Sequence, residues 1–306
     1  MTTWPRTLRQ AGITEPDLQA AYGRQRTLVR RFKREEYLTV RLLLPAHLRP
    51  HVIAAVAFMH ETDNRIDTGT TDARRTALGE WEAATRKTLG GDPATDATLL
   101  ALQDAARSRP QLVHRVEGFL RGARHEVDYS GFTTEEELQA YVDGYSLPAF
   151  MLLACLLDLE PPADTDAFER GCRDLIEAMQ RVDFLDDLAE DAAQGQVGVP
   201  AADLDRHSLS VANLADPTDT VRSRLEQLVQ EQAELARPRL SASRRLAGMV
   251  PQASRPFITA MLQVQELRLN AVRRKGGHLV DGGARPAVPA LLGILGRQYR
   301  AARRSR

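Results

Sequence analysis

Apolar residues along this chain recur at the three-to-four-residue spacing of a helix face, and alternating β-branched runs are missing. The pattern predicts about ten helices, at 15–33, 48–67, 71–88, 95–107, 110–127, 134–158, 164–193, 217–245, 251–275 and 287–303. Turn chemistry separates them: GGDP at 90–93, EPPAD at 160–164, GQVGVP at 195–200, DP at 216–217 and DGG at 281–283. Thr14-Glu15-Pro16 and Thr133-Thr134 before three glutamates read as helix starts. VIAAVAFM, 52–59, is apolar all round and marks a helix buried on every side. The uncharged run YSLPAFMLLACLL, 145–157, is too short to span a bilayer and reads as a core helix. No break is polar or long enough for a domain linker. One all-α domain over 1–306 is expected, with a frayed tail at about 300–306.

Composition adds the capacity for a large core, at 43% hydrophobic residues. Lys plus Arg and Asp plus Glu are equal at 41 each, so no global field argues for nucleic acid. Cys155 and Cys172 lack metal or redox spacing and read as buried free thiols, which fits a cytoplasmic compartment. No signal peptide is visible in MTTWPRTLRQAG.

The uneven placement of charge changes the picture most. DNRID at 63–67 and DFLDDLAED at 183–191 each set carboxylates four residues apart, on one helix face. Asp63 and Asp67 extend the stripe of Val52 and Val56 at the negative end of their helix, where further carboxylates are unfavourable. Asp183, Asp187 and Asp191 form a ladder flanked by Asp186 and Glu190. From Val182 to Asp205 there are seven acidic residues and no Lys or Arg. Like charges at this spacing each cost roughly 0.2–0.5 kcal/mol, and a bound cation would offset them. Read alone, either helix also fits one that simply emerges into water. Oxygen-only clusters suit Mg²⁺, which takes one or two carboxylates and completes its shell with water and phosphate oxygens. That chemistry supports ionisation of a diphosphate ester beside an apolar cavity.

From about Tyr37 to Leu269 the chain resembles the squalene/phytoene synthase family. LLLPAHLRPHVIAAVAFMHETDNRID (42–67) is similar to its first block, which ends in a D-D-x-x-D-type motif. AMQRVDFLDDLAEDAAQGQVGVP (178–200) is similar to its second, Q-x-x-N-x-x-R-D-x-x-E-D, with Gln180, Asp187, Glu190 and Asp191 in place. Tyr141 to Pro148 resembles the central Tyr-containing segment. The resemblance implies the isoprenoid synthase (class I terpenoid synthase) helical bundle around a central cavity, about three Mg²⁺ ions, and an allylic prenyl diphosphate as substrate. On that footing Asp63, Asp67, Asp183, Asp187 and Asp191 hold metal, assisted by Asp186 or Glu190. Val56, Gln180 and Tyr141 line the substrate site. Arg30, Arg31, Arg34 and Arg285 are candidates for the diphosphate, and His60 for a base or diphosphate ligand, or a structural residue.

The chain departs from the family pattern where other polar partners are usual. His60 replaces an Arg, Asn64 an Asp, Val56 a Tyr, Asp183 an Asn, Asp186 an Arg and Gln265 a Tyr. REEY (34–37) stands where a Ser-x-Ser-Phe-like segment is usual, and GQVGVP lacks an Arg and a Tyr. Metal carboxylates that persist while their partners change imply an unchanged electrophile and a new nucleophile. The expected function is therefore transfer of a dimethylallyl or longer group to a small aromatic, carbazole- or indole-like acceptor in secondary metabolism. Head-to-head condensation of two prenyl diphosphates stands as the alternative, with YSLP (145–148) similar to the hydroxysqualene-forming branch. A non-catalytic helical binding protein is the third reading. No Gly-rich loop follows a strand, so NAD(P)H is not expected. The basic stretch 24–34 could also touch an anionic membrane surface.

Overall fold

A computed structural model describes residues 3–161 and 164–305. All regular structure among them is helical. In order these are α1 (Trp4–Gln10), α2 (Pro16–Phe32), α3 (Arg34–Leu43), α4 (Arg49–Ile66), α5 (Thr71–Leu89), α6 (Ala97–Ser108), α7 (Gln111–Glu126) and α8 (Glu135–Tyr141). A π-helical turn, Val142–Ser146, leads into α9 (Leu147–Ala154). Then come α10 (Thr165–Asp186), α11 (Leu188–Ala193), α12 (Ala201–Arg206), α13 (Val211–Ala215), α14 (Asp219–Ser243), α15 (Leu246–Met249) and α16 (Arg255–Lys275). A 3₁₀ turn, Gly276–Asp281, precedes α17 (Val288–Arg304).

Local signals set most boundaries. Pro16 opens α2, and Thr134 accepts the Glu137 N–H at the start of α8. Asp96 accepts the Thr98 and Leu99 N–H groups at 2.7 and 2.9 Å and so starts α6.

Three expectations need correction. The helix at 15–33 is followed by a separate α3, because Lys33 leaves helical geometry (φ −130°, ψ 61°). The span 134–158 contains the π turn and ends at Ala154. The span 164–193 breaks at Asp187. At the C-terminus, α17 runs to Arg304, with Ala302 buried. Residue 306 lies outside the described residues.

At the centre lies α4, against α2, α5, α6, α7 and α9. Every residue from Arg49 to Ala55 is buried, with Ala57 and Phe58. The main core joins residues from Val29 to Ala284, so α2, α4, α7, α9, α10, α14 and α16 share one apolar interior. Among the described residues no helix is long and apolar enough to cross a membrane. Cys155 and Cys172 are free thiols, and burial pushes both up to about 12.

Candidate active site

The first carboxylate set forms where α4 emerges from the core. Arg65 is turned away, over the Trp81 ring (3.9 Å) and paired with Glu61 at 3.0 Å. Asp63 and Asp67 remain, and Asp67 caps the helix end. Burial first, then the Asp67 charge, pushes Asp63 up to about 6, against smaller opposing effects of the Tyr145 hydroxyl and Lys33. Asp67 is raised by burial, opposed by Arg74.

A third carboxylate, absent from the sequence-derived set, joins them from the end of α7. Burial, with the charges of Asp67 and Asp63, pushes Glu126 up to about 7, opposed by the Tyr141 hydroxyl. Its Oε2 is buried without a hydrogen-bond partner among the described residues. No local periodicity marks Glu126, because what matters is where the end of α7 meets the end of α4.

The π turn aims two side chains at this set and its neighbour. Tyr145 donates to Asp63 at 3.4 Å, and Ser146 donates to the Gln180 side-chain oxygen on α10 at 3.0 Å. Tyr141 lies in an aromatic group with Tyr129, Phe132, Tyr145 and Phe184. Val56 packs against the core while keeping some accessible surface.

The second set straddles the α10–α11 break. The Asp187 N–H reaches the Asp183 carbonyl and the Asp191 N–H the Asp187 carbonyl, each at 2.9 Å, so the ladder survives the break. Burial first, then Asp187 and Glu190, pushes Asp191 up to about 6. Asp187 is raised by burial and by Asp186, and lowered by Arg268 and Lys33. Glu190 is exposed.

Asp183 and Asp186 are different. Arg268 of α16 forks between them, at 2.5 and 3.2 Å, and the Ala284 N–H donates to the other Asp186 oxygen at 2.5 Å. Both Asp186 oxygens are therefore engaged in holding the turn that precedes the exposed Arg285. The missing positive charge of 182–205 comes from a distant helix. Replacing Arg268 with Met should cost about 2 kcal/mol in thermal unfolding, since it strands two carboxylates that are partly shielded from water. Adding Asp183→Asn and Asp186→Asn should recover much of that loss.

Lys33 ties the two sets together, because its charge lowers both Asp63 and Asp187. Tyr129 forms a second link, raised by burial and by Glu126 and Asp191, and opposed by Gln196. Lys33 lies in the basic stretch flagged from sequence, but only the α2–α3 junction brings it to the carboxylates. Arg30, Arg31 and Arg34 beside it are exposed. His60 stacks on Phe32 with ring centroids 3.6 Å apart, and its Nε2 is 3.3 Å from the Asn64 amide.

The first set sits at the C-terminus of α4, where aligned carbonyls add negative potential, whereas Asp187 joins the end of α10 to the start of α11, whose first turn carries Glu190 and Asp191. Among the described residues no three acidic, His or Cys side chains converge closely enough to hold a metal alone. An open oxygen-rich set with raised proton affinities and an unpartnered Glu126 oxygen fits Mg²⁺, which brings its own waters and shares phosphate oxygens.

An all-helical bundle carrying two acidic sets has the architecture of the isoprenoid synthases. The comparisons agree. The family model for squalene/phytoene synthase matches residues 29–291. Phytoene synthase of Mycobacterium tuberculosis is 28% identical over 268 residues, 87% of this chain and 86% of that protein. A dehydrosqualene synthase solved with a ligand superposes with TM-score 0.80 at 20% identity, covering 94% of this chain and 98% of its own. Squalene synthase HpnC from Alicyclobacillus acidocaldarius superposes with TM-score 0.75 at 24% identity, covering 88% and 98%. The chain belongs to the squalene/phytoene synthase family. It is a prenyltransferase, an enzyme that processes prenyl diphosphates.

Proposed function

We propose that this enzyme ionises an allylic prenyl diphosphate at the paired carboxylate sets and joins the cation to a second prenyl diphosphate, head to head. The relatives named above are synthases of this kind, and they align over most of the chain. The observation that supports the ionisation step is the pair of carboxylate sets, with Tyr145 donating to Asp63 at 3.4 Å and the Asp183, Asp187 and Asp191 ladder continuing across the α10–α11 break. Asp63, Asp67, Glu126, Asp187 and Asp191 would hold Mg²⁺, whose charge would stabilise the departing diphosphate. Lys33 supplies a further cation for the leaving oxygens. Tyr145 orients Asp63 through its hydroxyl.

The carbon chain needs a dry surface. From Gly144 to Leu157 no residue is charged, yet Leu147, Ala149, Phe150 and Leu153 are each partly accessible. With Val56, Met59, Met179 and Met261 on α4, α10 and α16 they supply apolar walls that would exclude water from the cation.

A second reading, transfer to an aromatic N–H acceptor, is favoured by Gln265. It stands where the family has a Tyr, and its buried side-chain oxygen has no partner among the described residues. One assay separates the readings. The protein is incubated with Mg²⁺ and dimethylallyl, geranyl, farnesyl or geranylgeranyl diphosphate, with and without indole and carbazole acceptors. A C30 or C40 hydrocarbon or alcohol supports coupling, and a prenylated aromatic supports the second reading. Absence of diphosphate release under every condition would leave a binding protein. We place the enzyme in the cytoplasm, in keeping with its free thiols.

The raised carboxylates also set a pH dependence. A carboxyl that binds protons more tightly folded than unfolded contributes stability at low pH, and loses it as pH rises through its folded value. The metal-free protein should therefore melt at falling temperature between about pH 4 and 7, the span of Asp63, Asp191 and Glu126. Mg²⁺ should restore the loss progressively above pH 6, which melting curves with and without the ion would show.

A further inference from the structure

Among the described residues five large apolar side chains are exposed, and three of them, Leu38, Val113 and Leu235, stand on separate helices at 37%, 37% and 41%. The other two are Val288 at 64% and Leu292 at 62%, both in the first two turns of α17. One turn apart, they share a face. Ala287 and Pro289 beside them are exposed as well. The opposite face of α17 is covered. Ile294 is buried with Leu43 of α3 and Ala260 of α16, and the Gln298 amide donates to the Gln263 oxygen of α16 at 3.3 Å. A lone exposed leucine is ordinary on a protein surface, but an adjacent pair this open to water suits a covered face better.

Charge along this helix has one sign. From Gly282 to Arg306 there are six Arg and no Asp, Glu or Lys, in a chain whose two signs balance at 41 each. Arg285 is exposed just ahead of Val288, and Arg297, Arg300, Arg303 and Arg304 are exposed beyond Leu292. None of these five pairs with a carboxylate among the described residues. Joining this face to its copy in a second chain would bring two sets of arginines together. An anionic lipid surface answers the apolar pair and the arginines at once.

The start of α17 is also tied to the rim of the second carboxylate set. The Ala284 N–H donates to Asp186 at 2.5 Å, and Lys275 Nζ of α16 donates to the Gly283 carbonyl at 2.7 Å. Val288 follows Ala284 by four residues, so it lies within about 14 Å of it. We propose that the first two turns of α17, with the arginines at either end, dock this enzyme on the surface of an anionic bilayer. Val288 and Leu292 enter the headgroup boundary, and the arginines meet lipid phosphates. Each contribution is weak alone, and together they give a reversible attachment. A prenyl diphosphate lies in such a surface with its tail among the lipids and its diphosphate outward. Docking through α17 holds the carboxylate rim near that level, a consequence that rests on the prenyl diphosphate reading, whereas the docking itself does not.

The test floats the full chain, in EDTA, with vesicles of phosphatidylcholine alone or mixed with phosphatidylglycerol. Binding to the anionic vesicles only is expected, with release at high salt. Val288→Gln combined with Leu292→Gln should weaken it about tenfold or more, because both apolar side chains are lost from the interface. The melting temperature of this double variant should be unchanged, since both side chains already face water. Arg300→Gln with Arg303→Gln should weaken binding severalfold and flatten its salt dependence. Leu235→Gln, an exposed leucine on α14, should bind as the wild type does. Leu292→Trp should gain a blue-shifted emission on adding anionic vesicles. No arm needs turnover, so failure here leaves the coupling reading untouched. Equal binding by the wild type and the Val288, Leu292 double variant, equal binding to neutral vesicles, or no binding to anionic ones overturns the proposal. So does a dimer, without lipid binding, that the double variant abolishes.

Discussion

Replacing Asp187 with Asn should lower diphosphate release by about 10³-fold while leaving the protein folded, and Asp63→Asn should behave alike. Both substitutions keep shape and remove one charge. Each charge lies beside other carboxylates and is disfavoured by burial, and Asp63 lies in addition near the carbonyl end of α4. The metal-free variants should therefore melt at higher temperature than the wild type, although activity is lost. A site that is unfavourable when empty and functional when filled shows this opposition of stability and activity. Asp186→Asn is the contrast. Its carboxylate serves Arg268 and the Ala284 N–H, so the variant should lose stability, with a smaller effect on ionisation. Diphosphate release and melting curves on the three variants decide the matter. Wild-type turnover in Asp187→Asn would remove the second carboxylate set from the mechanism.

The largest effect on the fold should come from Gly122→Ala. A Cβ built on Gly122 stands 2.3 Å from the Gly144 carbonyl oxygen and 3.0 Å from the Tyr145 Cα. Both are backbone atoms of the π turn, so no rotamer change relieves the clash. Overpacking of this kind costs about 2–3 kcal/mol. The alternative is for α7 to move away from the π turn, which carries Tyr145 away from Asp63. We expect a lower melting temperature together with reduced diphosphate release. Gly118→Ala, one turn earlier, is the control. Its new Cβ meets only the Pro148 Cβ, at 3.9 Å, so the variant should be neutral or slightly stabilised by better helix propensity. A Gly122→Ala protein as stable and active as the control would show that α7 and the π turn need not meet so closely.

The comparisons sharpen one expectation and leave another as a proposal. The mismatched residues around the carboxylates suggest a changed nucleophile, whereas relatives aligned over most of the chain couple two prenyl chains. Some mismatches have local explanations that do not concern the acceptor. Asp183 and Asp186 are answered by Arg268, and His60 is stacked on Phe32. Gln265, with its unpartnered oxygen, is the departure that still argues for an N–H acceptor.

Periodicity alone established that the chain is helical, that 52–59 is buried on every side, and that two carboxylate ladders lie on helix faces. These properties follow from side chains a turn apart, and the spacing of residues along the chain encodes them directly. Breaks within helices were not legible in the same way. The π turn at 142–146 and the interruption at Asp187 keep nearly helical dihedrals, and Gly144 and Pro148 in an otherwise apolar helical run do not by themselves tell a π turn from a continuous helix. Charge balance was the least legible property. The run 182–205 reads as unopposed negative charge until α16 delivers Arg268, and the first ladder reads as a pair until α7 delivers Glu126. Lys33 becomes the shared cation only through the angle between α2 and α3. Electrostatic partners are chosen by distance in space, and only packing sets that distance.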